Sequence, residues 1–320
     1  LSNFVQLVKN ENMKLYSQKS TWIMMIILGL LIIAFGTFMK VDATMLGGAV
    51  PTGDDWKQEL QEQNEALSSP PEEAGGSQEI KYPGYMNIEE NEYRIANDIK
   101  PTEYDAWNFI RDNRGLVAMV SLFTIIVAAG ITANEFRWGT IKLLLIRPIS
   151  RTKILFSKYV AVLIYALAML VFLYALSFLV GLLLFGIDGF SQIYVFEQAG
   201  EITQAGIFSH TVSQYLLSSV ELLMMATFAF MISAVFRNTS LAIGVAIFLM
   251  MAGSSIVVFL MNKEWAKYIL FANTDLTQYV EGSPFFDTTL WFSVAVLAVY
   301  YIIFMFLSWL FFTKRDVAGA

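Results

Sequence analysis

The sequence predicts an all-α integral membrane protein with six transmembrane helices, and three observations carry that expectation. Of 320 residues, 56% are hydrophobic and only 15% charged, against roughly 25% charged in a water-soluble domain. Six apolar windows, 22–39, 116–133, 159–185, 215–235, 241–261 and 290–312, are each long enough to cross a hydrocarbon core of about 30 Å as helix. Their connections alternate in charge: segments 1–21, 134–158, 236–240 and 313–320 carry 12 Lys/Arg against 3 Asp/Glu, whereas 40–115, 186–214 and 262–289 carry 9 against 23. Basic short loops mark the cytoplasmic side, so both termini are expected in the cytoplasm.

Residues 1–21 read as an interfacial helix, because Phe4, Leu7, Val8 and Leu15 share one helical face while Lys9, Lys14 and Lys19 lie nearer the polar side. Glu11 interrupts the apolar face, either snorkelling to water or pairing with a cation on a neighbouring segment or chain. The first span follows too many polar residues, and is too long, for a cleaved secretory signal. The loop 40–115 has a net charge of −9 and is expected to form an acidic extracytoplasmic domain. It reads as a polar helix over 54–66, a Ser/Pro/Gly-rich connection over 68–77, and a small packed cap over 88–114 built on Tyr93, Tyr104, Trp107 and Phe109. Its charge is either a solvated face or a means of concentrating cationic substrates.

Segment 134–158 carries six Lys/Arg against Glu135, too basic to span and too apolar for an open loop. Pro148 is expected to end a first helix and Ser150 to cap a second that runs into the third span. Two uses suit it: a surface hairpin held by anionic lipid, or a docking element for a cytoplasmic protein with Leu143–Ile146 as its apolar anchor. At 27 residues the third span is long enough to tilt or project. The outer segments 190–208 and 262–289, rich in aromatic residues, read as interfacial helices. Glu221 is the single charge within a span, which makes it a candidate for a translocation path or proton movement; the competing role is structural, snorkelling or bonding to a neighbouring helix.

Several chemistries are excluded. The chain has no cysteine and one histidine, His210, so thiolate chemistry and multi-His metal centres are ruled out. It has no Gly-Lys-Ser/Thr phosphate loop and no Gly-x-Ser-x-Gly elbow. No cofactor is expected on this chain, no nucleic acid as partner, and no enzymatic activity of its own.

One run is distinctive: Glu135, Gly139-Thr140, Ile141-Lys142, Leu144-Leu145, Arg147-Pro148, Ser150-Arg151, Ile154 and Ser157-Lys158. It resembles the segment between the second and third spans of bacterial type-2 ABC-transporter permeases, in the subgroup with a large first extracytoplasmic loop. The opening Lys9-Asn10-Glu11 with Lys14, and the closing Lys314-Arg315-Asp316, are similar to that family's ends. Where the family often has Pro after the fifth span's outer helices, this chain has Asn273-Thr274-Asp275.

The resemblance implies an ATP-driven exporter of the bacterial plasma membrane. Two permeases, identical or different, would pair in the lipid, and each would rest on a separate cytoplasmic ATP-binding subunit that holds ATP and Mg2+. Glu11, Glu135, Gly139, Thr140, Leu144, Leu145, Arg147, Pro148 and Arg151 would couple to that subunit, with Gly139 letting two helices approach closely. An amphipathic or lipid-like cargo, or an antimicrobial peptide, suits spans rich in Phe and Met. The alternative is a non-transporting sensor or resistance protein that captures a cationic peptide on its acidic outer domain.

Overall fold

The apolar face of the first helix, Leu7, Glu11 and Leu15 at i, i+4 spacing, is the face that is buried. In a computed structural model that describes residues 2–45, 50–68, 88–140 and 149–314, α1 (Ser2–Ser17) meets α2 (Lys19–Met45) at a corner. The last carbonyls of α1 lack intrahelical donors, and side chains of α2 supply them: Thr21 Oγ1 donates to Leu15 O (2.6 Å) and Trp22 Nε1 to Tyr16 O (2.9 Å).

After α3 (Trp56–Ser68) and α4 (Ile88–Ala96), which are joined by an Asn91 Nδ2 to Asn64 Oδ1 bond (2.8 Å), the chain enters its second long helical stretch. This comprises α5 (Ala106–Asp112), a 3-10 turn over Asn113–Leu116, and α6 (Val117–Arg137). Asp105 starts it: Oδ1 accepts from Trp107 N and Asn108 N, while Oδ2 accepts from Gln192 Nε2 at 2.7 Å. The remaining long helices are α7 (Arg151–Phe185), α8 (Ile207–Phe236), α9 (Thr239–Leu260) and α11 (Leu290–Lys314), with the single-turn α10 (Leu270–Asn273) between the last two.

Among the described residues, six helical stretches are therefore long and apolar enough to cross a membrane, at each of the six expected places. Three begin at least two turns earlier than hydropathy alone indicates, at Ala106 rather than 116, Arg151 rather than 159 and Ile207 rather than 215. For the second, the reason is that its charges are answered internally. Arg111 Nη2 bonds Asp112 Oδ1 (3.2 Å), Tyr104 OH donates to Asp112 Oδ2 (2.8 Å), and Arg114 Nη1 donates to Gln214 Oε1 (3.1 Å). Trp107 and Phe109, expected in a separate cap, belong to this helix and are buried. At 35 residues α7 is about 52 Å long, well beyond a bilayer core.

The second and fourth stretches form the interior: 72% and 56% of their apolar windows are buried, against 17–22% for the other four. Ser233 Oγ on α8 donates to Ala129 O (2.6 Å) and accepts from Ala133 N (3.1 Å), bridging the backbone of α6. Side chains such as Leu30, Leu183, Met251, Phe259, Trp291 and Ile302 on the outer helices are exposed, as a hydrocarbon solvent permits and water does not. Gly181 of α7 lies so close to α5 that a Cβ there would sit 3.0 Å from Ala106 Cα.

Two expectations are corrected at the end of the bundle away from α1. Residues 190–208 are not an interfacial helix, and the fold is not purely α. Strands β1 (Ile193–Gln198) and β2 (Glu201–Gly206) pair antiparallel, Gln198 opposite Glu201, around a two-residue loop in which Ala199 (φ 52°) and Gly200 (φ 85°) are left-handed. That geometry matches the twist of a tight hairpin, and aromatic and β-branched Tyr194, Val195 and Phe196 favour strand. Segment 262–289 does form short helices, with Leu270, Ala272 and Leu276 buried. Asn273 holds its turns together, donating to Lys267 O and Ile269 O and accepting from Ser293 Oγ (2.7 Å).

Candidate functional site

At the other end of the bundle, four charged groups from three helices converge. Glu11, in the middle of the buried face of α1, is only 6% exposed; Lys158, two turns into α7, is 0% exposed; Glu135, in the last turn of α6, is 8% exposed. Lys158 Nζ lies 2.8 Å from both Glu11 Oε2 and Glu135 Oε1. Lys14 Nζ bridges the same two carboxylates, 2.8 Å from Glu11 Oε1 and 3.2 Å from Glu135 Oε1. Two positive and two negative charges form a closed, neutral quartet. Glu135 Oε2 is the exception: it is buried and has no hydrogen-bond partner among the described residues.

Burial alone would push the Glu11 carboxyl up, but the charge of Lys158 and bonds from both lysines outweigh it and hold the group below its ordinary range. Burial likewise pulls Lys14 down, and its bond to Glu11 reverses the sign, so Lys14 is raised. Of the two readings of Glu11, pairing with a segment of its own chain is the one realised; it does not snorkel to water. Sequence reasoning missed the roles of Lys14 and Lys158. A cation abutting the 27-residue apolar run that begins at Tyr159 was the available signal for Lys158.

The quartet flanks the connection between α6 and α7. Trp138 N donates to Asn134 O (2.9 Å) and Gly139 N to Phe136 O (3.2 Å), closing α6 with Gly139 in the left-handed region at φ 70°. A Cβ on Gly139 would meet nothing within 4 Å among the described residues. The glycine thus serves the helix end; the segment that follows it, 141–148, lies outside the described residues. Thr140 Oγ1 reaches back to Glu135 O (3.4 Å). Ser150 Oγ accepts from Lys153 N at the start of α7, as expected of a cap. Arg151 Nη1 donates to Thr313 O (3.0 Å) and Trp309 Nε1 to Thr152 Oγ1 (3.1 Å), tying α7 to the end of α11. Leu144, Leu145, Arg147 and Pro148, the 68–77 connection beyond Ser68, and Arg315-Asp316 lie outside the described residues.

Glu221 is not part of this site. It is half-buried on α8, has no hydrogen bond or ion pair among the described residues, and feels the charge of Asp275. A second polar network, at the hairpin end, centres on Glu281. It accepts from Tyr194 OH (3.0 Å) and Gln214 Nε2 (3.1 Å), and Arg111 stacks 4.4 Å from the Tyr194 ring centroid. Burial pushes the Tyr194 hydroxyl up to about 12.

The family model described as "Protein of unknown function (DUF2705)" matches residues 84–318, which include all of α4 to α11 and two members of the quartet. The chain belongs to the DUF2705 family. Among relatives, the uncharacterized protein YhcI of Bacillus subtilis (strain 168) is 44% identical over 321 residues, covering 98% of this chain and 100% of that one. The uncharacterized membrane protein YdbK of the same organism is 34% identical over 204 residues, covering 62% of this chain and 78% of its own. The DUF2705 chain described here is a membrane protein: six apolar helices and a relative so named agree.

Proposed function

We propose that the chain is the membrane subunit of an ATP-driven exporter of the type-2 ABC class, with both termini cytoplasmic in a bacterial plasma membrane. The observation that carries this reading is the buried quartet. It fastens the surface helix α1 to the end of α6 and the start of α7, the two helices that bracket the basic connection. Arg151 and Trp309 fasten the same point to α11. A push on the connection is then transmitted to α1, α6, α7 and α11 as one body, as a coupling element requires.

In this reading an ATP-binding partner holds ATP and Mg2+ and seats the 134–158 segment, with Leu144 and Leu145 as its apolar anchor. A second permease completes the translocation path, the 40–115 domain lies outside the cell, and the cargo is amphipathic. Ion-paired Glu11 and Glu135 transmit force; neither is a catalytic group. The double substitution Leu144→Glu/Leu145→Glu tests this. Reconstituted with the ATP-binding subunit, it is expected to insert normally and to lose at least tenfold of the cargo-stimulated ATP hydrolysis. Stimulation equal to wild type would remove the docking assignment.

A further inference from the structure

A cavity of about 270 Å3 lies at the hairpin end of the bundle, where α4, the segment before α5, α5 itself and β1 meet. Arg94 and Arg111 share its wall. Arg94 gives its Nε and Nη2 edge to Glu90 Oε1, one turn earlier on α4 (3.1 and 2.8 Å). Arg111 gives the same edge to Asp112 Oδ1 (3.4 and 3.2 Å). In each pair one carboxylate oxygen takes both bonds, so the Nη1 end of each guanidinium has no partner among the described residues. The two side chains are 14% and 22% exposed, and neither Nη1 is buried. Arg111 is further held by stacking 4.4 Å from the Tyr194 ring centroid.

The same wall offers acceptors. Glu90 Oε2 and Asn108 Oδ1 receive no hydrogen bond from the described residues, and neither atom is buried. Pro101 and Ile207 supply an apolar part. Glu90 and Asp112 already balance the two arginines, so a ligand with a net charge would unbalance the wall, whereas a zwitterion would not. Guanidinium ends match a carboxylate in their planar geometry, and a carboxylate oxygen beside an amide oxygen matches an ammonium. A volume at the small end of ligand pockets limits the occupant to a compact molecule.

We propose that this cavity binds a free α-amino acid with an apolar side chain: the carboxylate takes N–H groups of Arg94 and Arg111, the ammonium donates to Glu90 Oε2 and Asn108 Oδ1, and the side chain lies against Pro101 and Ile207. The assignment does not depend on transport. An inorganic anion would satisfy the arginines and leave both acceptors empty; a simple amine would do the reverse.

The test is titration calorimetry of the purified full chain in detergent with L-leucine, N-acetyl-L-leucine, L-leucinamide and inorganic phosphate. L-Leucine is expected to bind, and the acetylated and amidated forms to bind about tenfold more weakly, the scale of one charge-assisted hydrogen bond. Arg94→Gln is expected to weaken L-leucine by a similar factor; Thr102→Trp, which fills the cavity from its lining, serves if that variant does not fold. Phosphate at millimolar concentration is expected not to displace L-leucine; displacement would assign the cavity to a simple anion and overturn the amino-acid assignment. No binding of L-leucine at millimolar concentration, equal affinity for the three leucine compounds, or an affinity unchanged in the folded variants also overturns the proposal.

Discussion

Lys158→Met removes the fully buried centre of the quartet while keeping the volume of the side chain. Each of the two 2.8 Å contacts made by Lys158 corresponds to roughly 6 kcal/mol of gross attraction at an effective dielectric constant of about 20, most of it offset by desolvation. The net effect of deletion comes from what remains: two buried carboxylates facing each other with only the half-exposed Lys14 between them. Breaking a buried pair in this way costs about 3–5 kcal/mol, which for a chain of this size lowers the unfolding midpoint by about 5–10 °C. Thermal unfolding in detergent, followed by tryptophan fluorescence, measures it. A double-mutant cycle with Glu11→Gln should give a coupling above about 1 kcal/mol. The neutral triple variant Glu11→Gln/Glu135→Gln/Lys158→Met should recover most of the loss. The reasoning is refuted if Lys158→Met unfolds within about 2 °C of wild type, or if the two single changes are additive.

Other outcomes follow from the same geometry. Glu11 is held below its ordinary 4.5, so its contribution is present above that value and is lost as pH falls through the lower folded value; Lys14, raised above 10.5, contributes below that value and is lost at still higher pH. A spin label at Met13→Cys, on the exposed side of α1, should therefore stay immobilised as the pH falls to 4.5 and gain mobility only below it, as Glu11 takes up a proton at its lowered folded value; mobility already gained at pH 4.5 would contradict the attachment of α1 through ion-paired Glu11. Because the chain has no cysteine, single replacements report sidedness. Lys57→Cys should react with an impermeant maleimide in intact cells and Lys153→Cys only after permeabilisation, and the reverse pattern would invert the proposed orientation.

The six spans were legible because hydropathy is a local property and the bilayer sets a fixed length. Their true starts were not, since Arg111, Asp112 and Arg114 interrupt the apolar pattern and are neutralised by each other, by Tyr104 and by Gln214, partners that a window cannot see. The hairpin was legible in principle, from strand-forming residues 193–196 and the glycine at 200, but its aromatic content suggested an interfacial helix. For the site, sequence isolated Glu11 and Glu135 individually. Their meeting at Lys158 joins residues 147 positions apart, a relation that only the packing of α1 against α7 creates. Gly139 was singled out for a close approach of two helices, and the structure adds a reason that sequence did not offer, the left-handed end of α6.

The most direct measurement of the central claim is photo-crosslinking in living cells from a benzophenone side chain placed at Leu144. The account expects an adduct with a separate polypeptide that carries a phosphate-binding Gly-Lys-Ser/Thr loop, lost when Arg147 and Arg151 are both changed to Glu. Adducts confined to lipid, or to proteins without such a loop, would contradict it.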